Sequence, residues 1–116
     1  MIIDWGKVKI FVKPGATDMR KQINGLSVII SEELKMNVFE GNLFLFCNKH
    51  RRILKIIYWE TNGFCQWYKR LEKTDKFPWP MNQKEASEIT QQQFGFLLQG
   101  IDFWNAHKKI EYQKVF

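Results

Sequence analysis

The stretch VKIFVK at 8–13 alternates apolar and basic residues, the period of a half-buried strand, and Pro14-Gly15 predicts its end. Beyond it, Met19, Ile23, Leu26, Ile30 and Leu34 recur at steps of four, three, four and four, which places them on one face of a helix. Thr17 is the expected cap, and Asp18 the first helical residue, an acid set against the positive end of the helix dipole. The helix is expected to run to Lys35. Gly25 and the pair Ile29-Ile30 lower its intrinsic propensity, so packing has to hold it.

The middle of the chain reads as an antiparallel meander. NLFLFCN, RILKIIYWE and GFCQWYKRLEK are rich in aromatic and β-branched residues; Lys49-His50-Arg51 separates the first two and Asn62-Gly63 the last two. Asn-Gly is the strongest short hairpin signal. With those two residues at the tip, Trp59 faces Gln66, Ile57 faces Tyr68 and Lys55 faces Arg70. A three-residue turn at 49–51 likewise sets Cys47 opposite Ile53 and Leu45 opposite Lys55. Period two then sorts the side chains onto two faces. Phe44, Phe46, Leu54, Ile56, Tyr58, Cys65, Trp67 and Leu71 form the expected core side, with Lys69 its one charge. Leu43, Leu45, Ile53, Ile57, Trp59 and Tyr68 share the other face with Lys55, Gln66 and Arg70.

Phe77-Pro78-Trp79-Pro80 closes the meander, because neither proline can donate to a ladder. The polar NQKEASE at 82–88 reads as a loop or frayed turn. A clean helix start follows, with Thr90 as cap, Gln93 as its reciprocal partner and Ile89 stapled to Phe94. Phe94, Leu97, Leu98 and Ile101 are its expected buried stripe, and Gly100 closes it. The expected fold is therefore α+β: an antiparallel sheet of four or five strands, one long helix packed on it and a short C-terminal helix. Residues 1–116 read as one domain, with a basic tail at 105–116.

Composition narrows the class. The chain is 45% hydrophobic, 16% aromatic and 26% charged, which suits a packed core and excludes a disordered tract. Eighteen Lys and Arg against twelve Asp and Glu leave a net charge of +6, a balance that favours anionic partners. The longest apolar runs fall far short of the roughly 20 residues that span a bilayer. The start, MIIDWGKVKIF, lacks the pattern of a secretory signal, so the expected location is cytoplasmic. Cys47 and Cys65 are too few for a disulfide framework, and this register sets them about 10 Å apart, too far for a bridge.

The strongest constellation is the basic and aromatic sheet face with its edges: Arg51, Arg52, Lys55, Trp59, Tyr68, Lys69 and Arg70. Sheets can track phosphates, with basic groups releasing counterions and planar rings packing on sugars or bases. Lys55 opposite Arg70 points the same way, since like charges face each other unfavourably unless an anion lies between them. The bland alternative is that Glu72 neutralises the pair or that the side chains splay apart. Arg20 and Lys21 flank a helix start that could seat a phosphate, but Asp18 already occupies that field, so a structural cap is favoured. No catalytic set emerges. Glu33-Leu34-Lys35 imitates a nuclease signature but sits on a helix. No phosphate loop or nucleophile elbow can be drawn, and Cys47, His50, Cys65 and His107 lack zinc spacing. The sequence thus gives no enzyme, cofactor or metal site.

TDMRK at 17–21, NGL at 24–26, LFLFCNKHRRILKIIYWETNGFCQWYKRLE at 43–72, FPWP at 77–80 and LLQGID at 97–102 together resemble the TnpB-like accessory protein encoded by the second reading frame of insertion sequences of the sixty-six type. The resemblance covers nearly the whole chain in the expected order. Gln99 stands where an acid is common in the family, so a role tied to that acid does not transfer. What the resemblance implies is an accessory part in transposition of a mobile DNA element, beside a transposase that performs the strand chemistry. Two readings follow. In one, a non-enzymatic factor binds DNA through the basic sheet face, with Arg20, Lys21, Arg51, Arg52, Lys55, Trp59, Tyr68, Lys69 and Arg70 as its contacts. In the other, a protein-only assembly factor docks the transposase or forms a homo-oligomer.

Overall fold

The computed structural model describes residues 3–72 and 74–104; the expected basic tail at 105–116 lies outside them. Five strands form one sheet: β1 (Ile10–Ala16), β2 (Leu43–Cys47), β3 (Ile53–Glu60), β4 (Gly63–Arg70) and β5 (Ser87–Ile89), in the order β4-β3-β2-β1-β5. The sheet is mixed, not antiparallel throughout: β1 runs parallel to β2, and every other neighbour is antiparallel. The cause is the connection. The chain between β1 and β2 carries a helix across one face of the sheet, and such a crossover returns the next strand in the same direction.

That crossover departs from the long capped helix that periodicity predicts. The α-helix α1 spans only Ile23–Val28, and its first turn has no side-chain cap. The next five residues, Ile29–Glu33, widen into a π turn in which Leu34 N donates to Ile29 O. A π turn accommodates crowded β-branched side chains that a tight helix disfavours. Thr17 does not cap the helix. It is buried, and its amide donates to Cys47 O at 2.8 Å, prolonging the pairing of β1 with β2. The apolar stripe nevertheless faces inward: Leu26 and Ile30 are buried with Phe44, Phe46 and Ile57, and Met19 and Leu34 pack against them.

β1 also runs through Pro14-Gly15 instead of stopping there. A bulge between Val12↔Leu45 and Ala16↔Cys47 absorbs the proline, the setting in which a strand tolerates one. Gly15 has φ +76° and donates its amide to Pro80 O at 2.9 Å. Part of the NQKEASE stretch is strand as well, because β5 begins at Ser87 and pairs antiparallel with β1.

The opposite face of the sheet is covered by the FPWP segment and by α2 (Gln91–Gln99). Phe77 and Trp79 are buried with Ile10, Val12, Leu43, Leu45, Leu54, Ile56, Phe94 and Leu97. Trp79 Nε1 donates to Lys13 O at 3.0 Å, satisfying the one polar group that ring carries into the core. Helix α2 starts as its sequence predicts. Thr90 and Gln93 form a reciprocal capping box, and Gly100 ends the helix in the left-handed region. Ile101 is exposed, however, and does not extend the buried stripe.

Candidate nucleic-acid interface

The placement of the basic side chains on β3 and β4 depends on two turns, and both differ from the expected ones. At the β3–β4 hairpin Glu60 pairs with Gly63, so Thr61 and Asn62 form the tip. Lys55 therefore faces Tyr68, and Arg70 faces Ile53. At the β2–β3 turn Cys47 pairs with Leu54 and Phe46 with Lys55. That one-position difference moves Phe44 and Phe46 onto the face carrying Lys55 and Ile57, and sends Leu43 and Leu45 to the opposite face. Asn48 sets the turn: its Oδ1 accepts from Arg52 N at 2.8 Å and from Ile53 N at 3.0 Å.

The consequence for Lys55 is decisive. Its face is roofed by the crossover, and the residue is 3% exposed. Its Nζ donates to Met19 O at 2.8 Å and to Lys21 O at 2.9 Å, carbonyls on the segment leading into α1. Burial lowers the ammonium's pKa, with Asp18 opposing that shift. Lys55 is a tie between sheet and crossover, not a phosphate contact.

The other expected contacts divide by location. Arg20 is held by Asp18, whose carboxylate accepts from its Nε and NH2 groups at 2.6 to 3.0 Å. This pairing draws the Asp18 carboxyl down to about 2, and Asp18 Oδ1 also accepts from Arg20 N. Asp18 thus shapes the turn before α1. Lys21 is exposed next to it. Trp59 belongs to a ring cluster, edge-on to both Phe39 and Phe64 with centroids 5.1 Å away in each case. Tyr68 is 50% exposed on the outermost strand. Lys69 points to the opposite face, where its Nζ donates to Leu98 O at 2.8 Å.

Arg52 and Arg70 do come together, at the end of the sheet. With Asn48, His50, Ile53, Leu71, Glu72 and Lys76 they line an open cleft of about 570 Å³. The floor is fixed by the backbone: Leu71 N donates to Arg52 O at 2.8 Å, and Phe77 N donates to Arg51 O at 2.7 Å. Arg51 itself has φ +59° and serves the turn. Arg52 NH2 reaches Leu71 O at 3.5 Å, and Arg70 Nε and NH2 donate to Glu72 Oε1 at 3.1 and 3.0 Å. Both guanidiniums are thus oriented at the cleft, with further N–H groups uncommitted among the described residues. His50 is read from the sequence only as a turn residue and a rejected metal ligand, and Lys76 is not singled out there. Lys76 arrives only because the buried FPWP segment docks beside the turn, although the run Lys49-His50-Arg51-Arg52 is visible. Among the described residues no group of three or more His, Cys, Asp or Glu side chains could hold a metal ion. No described helix is long and apolar enough to cross a membrane.

Comparison with known proteins gives these features a lineage. The uncharacterized protein y4hO of Sinorhizobium fredii (strain NBRC 101917 / NGR234) is 36% identical over 96 residues, covering 83% of each chain. The uncharacterized protein y4jC of the same organism is 28% identical over 102 residues, covering 88% of this chain and 86% of its own. No solved structure matches. A family model described as IS66 Orf2 like protein matches residues 8–108, a span that includes the whole sheet and the cleft. This chain belongs to the IS66 Orf2-like family.

Proposed function

We propose that this protein is a non-enzymatic accessory factor for transposition of a mobile DNA element, and that it grips DNA at the cleft between the β2–β3 turn and the end of β4. Family membership supports the accessory role beside a transposase. The observation that carries the DNA reading is the lining of the cleft: His50, Arg52, Arg70 and Lys76, with Glu72 as the acid among them. Guanidiniums recognise phosphate through paired donors, and Glu72 keeps the Arg70 fork pre-organised while leaving donors free. Lys21, Arg51 and the exposed Tyr68 are secondary contacts in this reading, whereas Lys55 has no part in it. An open cleft lined by backbone-directed cations favours phosphate contacts over base readout, so binding is indifferent to sequence.

The test is a titration of labelled duplexes, random and from the ends of the neighbouring element, across a salt series. If Arg52, Arg70 and Lys76 each meet one phosphate, the log–log slope is about −3, steeper if Lys21 or Arg51 joins them. Arg52→Glu and Lys76→Glu each flatten that slope, and both duplex classes bind alike. Absence of binding at low salt would instead favour a protein-only factor that docks the transposase.

A further inference from the structure

Among the described residues β4 is the end strand of the sheet, and half of its backbone groups meet no strand. Leu71 N donates to Arg52 O just past the Ile53↔Arg70 pair. An antiparallel ladder alternates bonded and non-bonded pairs, so Cys65, Trp67 and Lys69 turn their amides toward β3. Phe64, Gln66, Tyr68 and Arg70 turn theirs outward, where no described strand lies. Natural sheets blunt such edges with short strands, bulges, prolines or free charges. The far edge, β5, is blunted by having three residues. β4 has eight, pairs with β3 at every position without a bulge and contains no proline.

Its two charges do not guard it either. The Lys69 ammonium is folded back onto Leu98 O, and the Arg70 guanidinium is engaged by Glu72. Between them and the hairpin, Trp67 is 39% exposed and Tyr68 50% exposed, on opposite faces of the strand. Trp67 also forms one wall of an apolar groove of about 180 Å³ with Ile3, Trp5, Phe94 and Leu98.

We propose that β4 is a self-pairing edge, through which two copies of this chain join antiparallel into one continuous sheet with a twofold axis at Trp67. Outward amides meet outward amides in this register: Gln66 pairs with Tyr68 of the copy, and Phe64 with Arg70. Trp67 meets its own counterpart at a non-bonded position, where side chains approach most closely, and each ring closes the open side of the other's groove. The charge pattern selects the occupant. Lys69 and Arg70 face Cys65 and Phe64 of the copy, both uncharged, whereas registers centred on Lys69 or Arg70 would oppose like charges. An edge that is complementary to itself closes as an isologous dimer. The two surfaces meet at Arg70, whose backbone would pair with Phe64 of the copy while its guanidinium lines the cleft. Trp67 lines no part of the cleft, so association measured without DNA and through Trp67 stands or falls separately from the DNA reading.

The experiment is sedimentation equilibrium of the full chain over the micromolar range, without DNA. The wild-type chain is expected to be dimeric. Trp67→Glu, which sets two carboxylates on the axis, is expected to be monomeric with an unchanged circular dichroism spectrum. Tyr68→Pro deletes an outward amide without removing a bond to β3, and is expected to do the same. In a Cys65→Ser background, Trp67→Cys should form an intermolecular disulfide on mild oxidation, because the two positions coincide at the axis. A monomeric wild-type chain, or a dimer indifferent to Trp67→Glu, overturns the proposal.

Discussion

Lys55 Nζ lies 2.8 Å from the carbonyl oxygen of Met19, and the same ammonium binds Lys21 O at 2.9 Å. A cation in the centre of the sheet therefore fastens the otherwise uncapped start of the crossover. The carbonyls compensate part of the cost of burying the charge, and without Lys55 the segment before α1 would lose the donor that pairs them. Lys55→Met keeps the apolar stem and removes both bonds. It is expected to cost about 2–4 kcal/mol of stability, since hydrogen bonds to charged groups are worth more than neutral ones and the two carbonyls are left unpaired. Urea denaturation measures the loss, and the salt slope of DNA binding should be unchanged in the variant that remains folded.

The same residue imposes a pH dependence. Burial lowers the Lys55 pKa, so between the folded value and the ordinary lysine value the unfolded chain binds more protons than the folded one. Stability then rises with pH across that window as the cost of burying the charge is relieved. Thermal midpoints taken toward alkaline pH should show this rise for the wild-type chain and lose it in Lys55→Met.

Asp18 works in the opposite range. Its side-chain bonds to Arg20, reinforced by the Arg20 amide, hold the carboxyl at about 2, below its usual 3.8. The folded carboxyl is depressed, so its contribution is present above the unfolded value and disappears as pH falls through the folded one. Asp18→Asn should remove the part of the acid limb lying between about 4 and about 2, a difference readable in thermal midpoints against pH. Because the pair is exposed, the difference also shrinks with added salt.

Legibility in the sequence follows the range of the interaction that decides each feature. The capping box of α2 and the inward stripe of Leu26 and Ile30 rest on local spacing, and each is where the pattern places it. Phe44 and Phe46 are buried as expected, but on the other face of the sheet. The faces of β3 and β4 relative to each other were also legible, because moving the hairpin tip from Asn62-Gly63 to Thr61-Asn62 shifts the pairing by an even number of positions and preserves parity. The β2–β3 turn was not. Asn48 uses one oxygen to hold two amides across the turn, and that side-chain choice offsets the ladder by one position, which exchanges the faces of β2. The face around Lys55 is not open, because the crossover packs over it and binds the ammonium, a long-range contact that no local spacing announces. The cleft was half legible: Arg52 and Arg70 were recognisable as basic groups on strands, but Lys76 joins them only through the burial of Phe77 and Trp79.

The hairpin tip carries a measurable strain. Thr61 has φ +52°, a left-handed conformation that β-branched residues rarely adopt, while Gly63 has open space around its missing Cβ and no positive φ. The flexible residue thus sits beside the position that needs it. Thr61→Asn, which tolerates that region, is expected to stabilise the chain by about 0.5–1 kcal/mol. The urea midpoint should rise with an unchanged m-value.

Thiol labelling separates the two cysteines and reports opening of the sheet. Cys47 is buried on β2, and burial pushes its thiol up to about 12, so the thiolate needed for alkylation is scarce as well as enclosed. Cys65 is half-buried on the edge strand, with its thiol 3.7 Å from Glu60 Oε2. One thiol should therefore react in the native state and the other only as fast as the core opens. Cys65→Ser should abolish the fast phase and leave the slow one. Adding Lys55→Met to that variant should accelerate the slow phase by the factor that its loss of stability predicts, about tenfold per 1.4 kcal/mol where opening is in rapid equilibrium. A slow phase unmoved by Lys55→Met would mean that the ammonium does not help hold the crossover over β2.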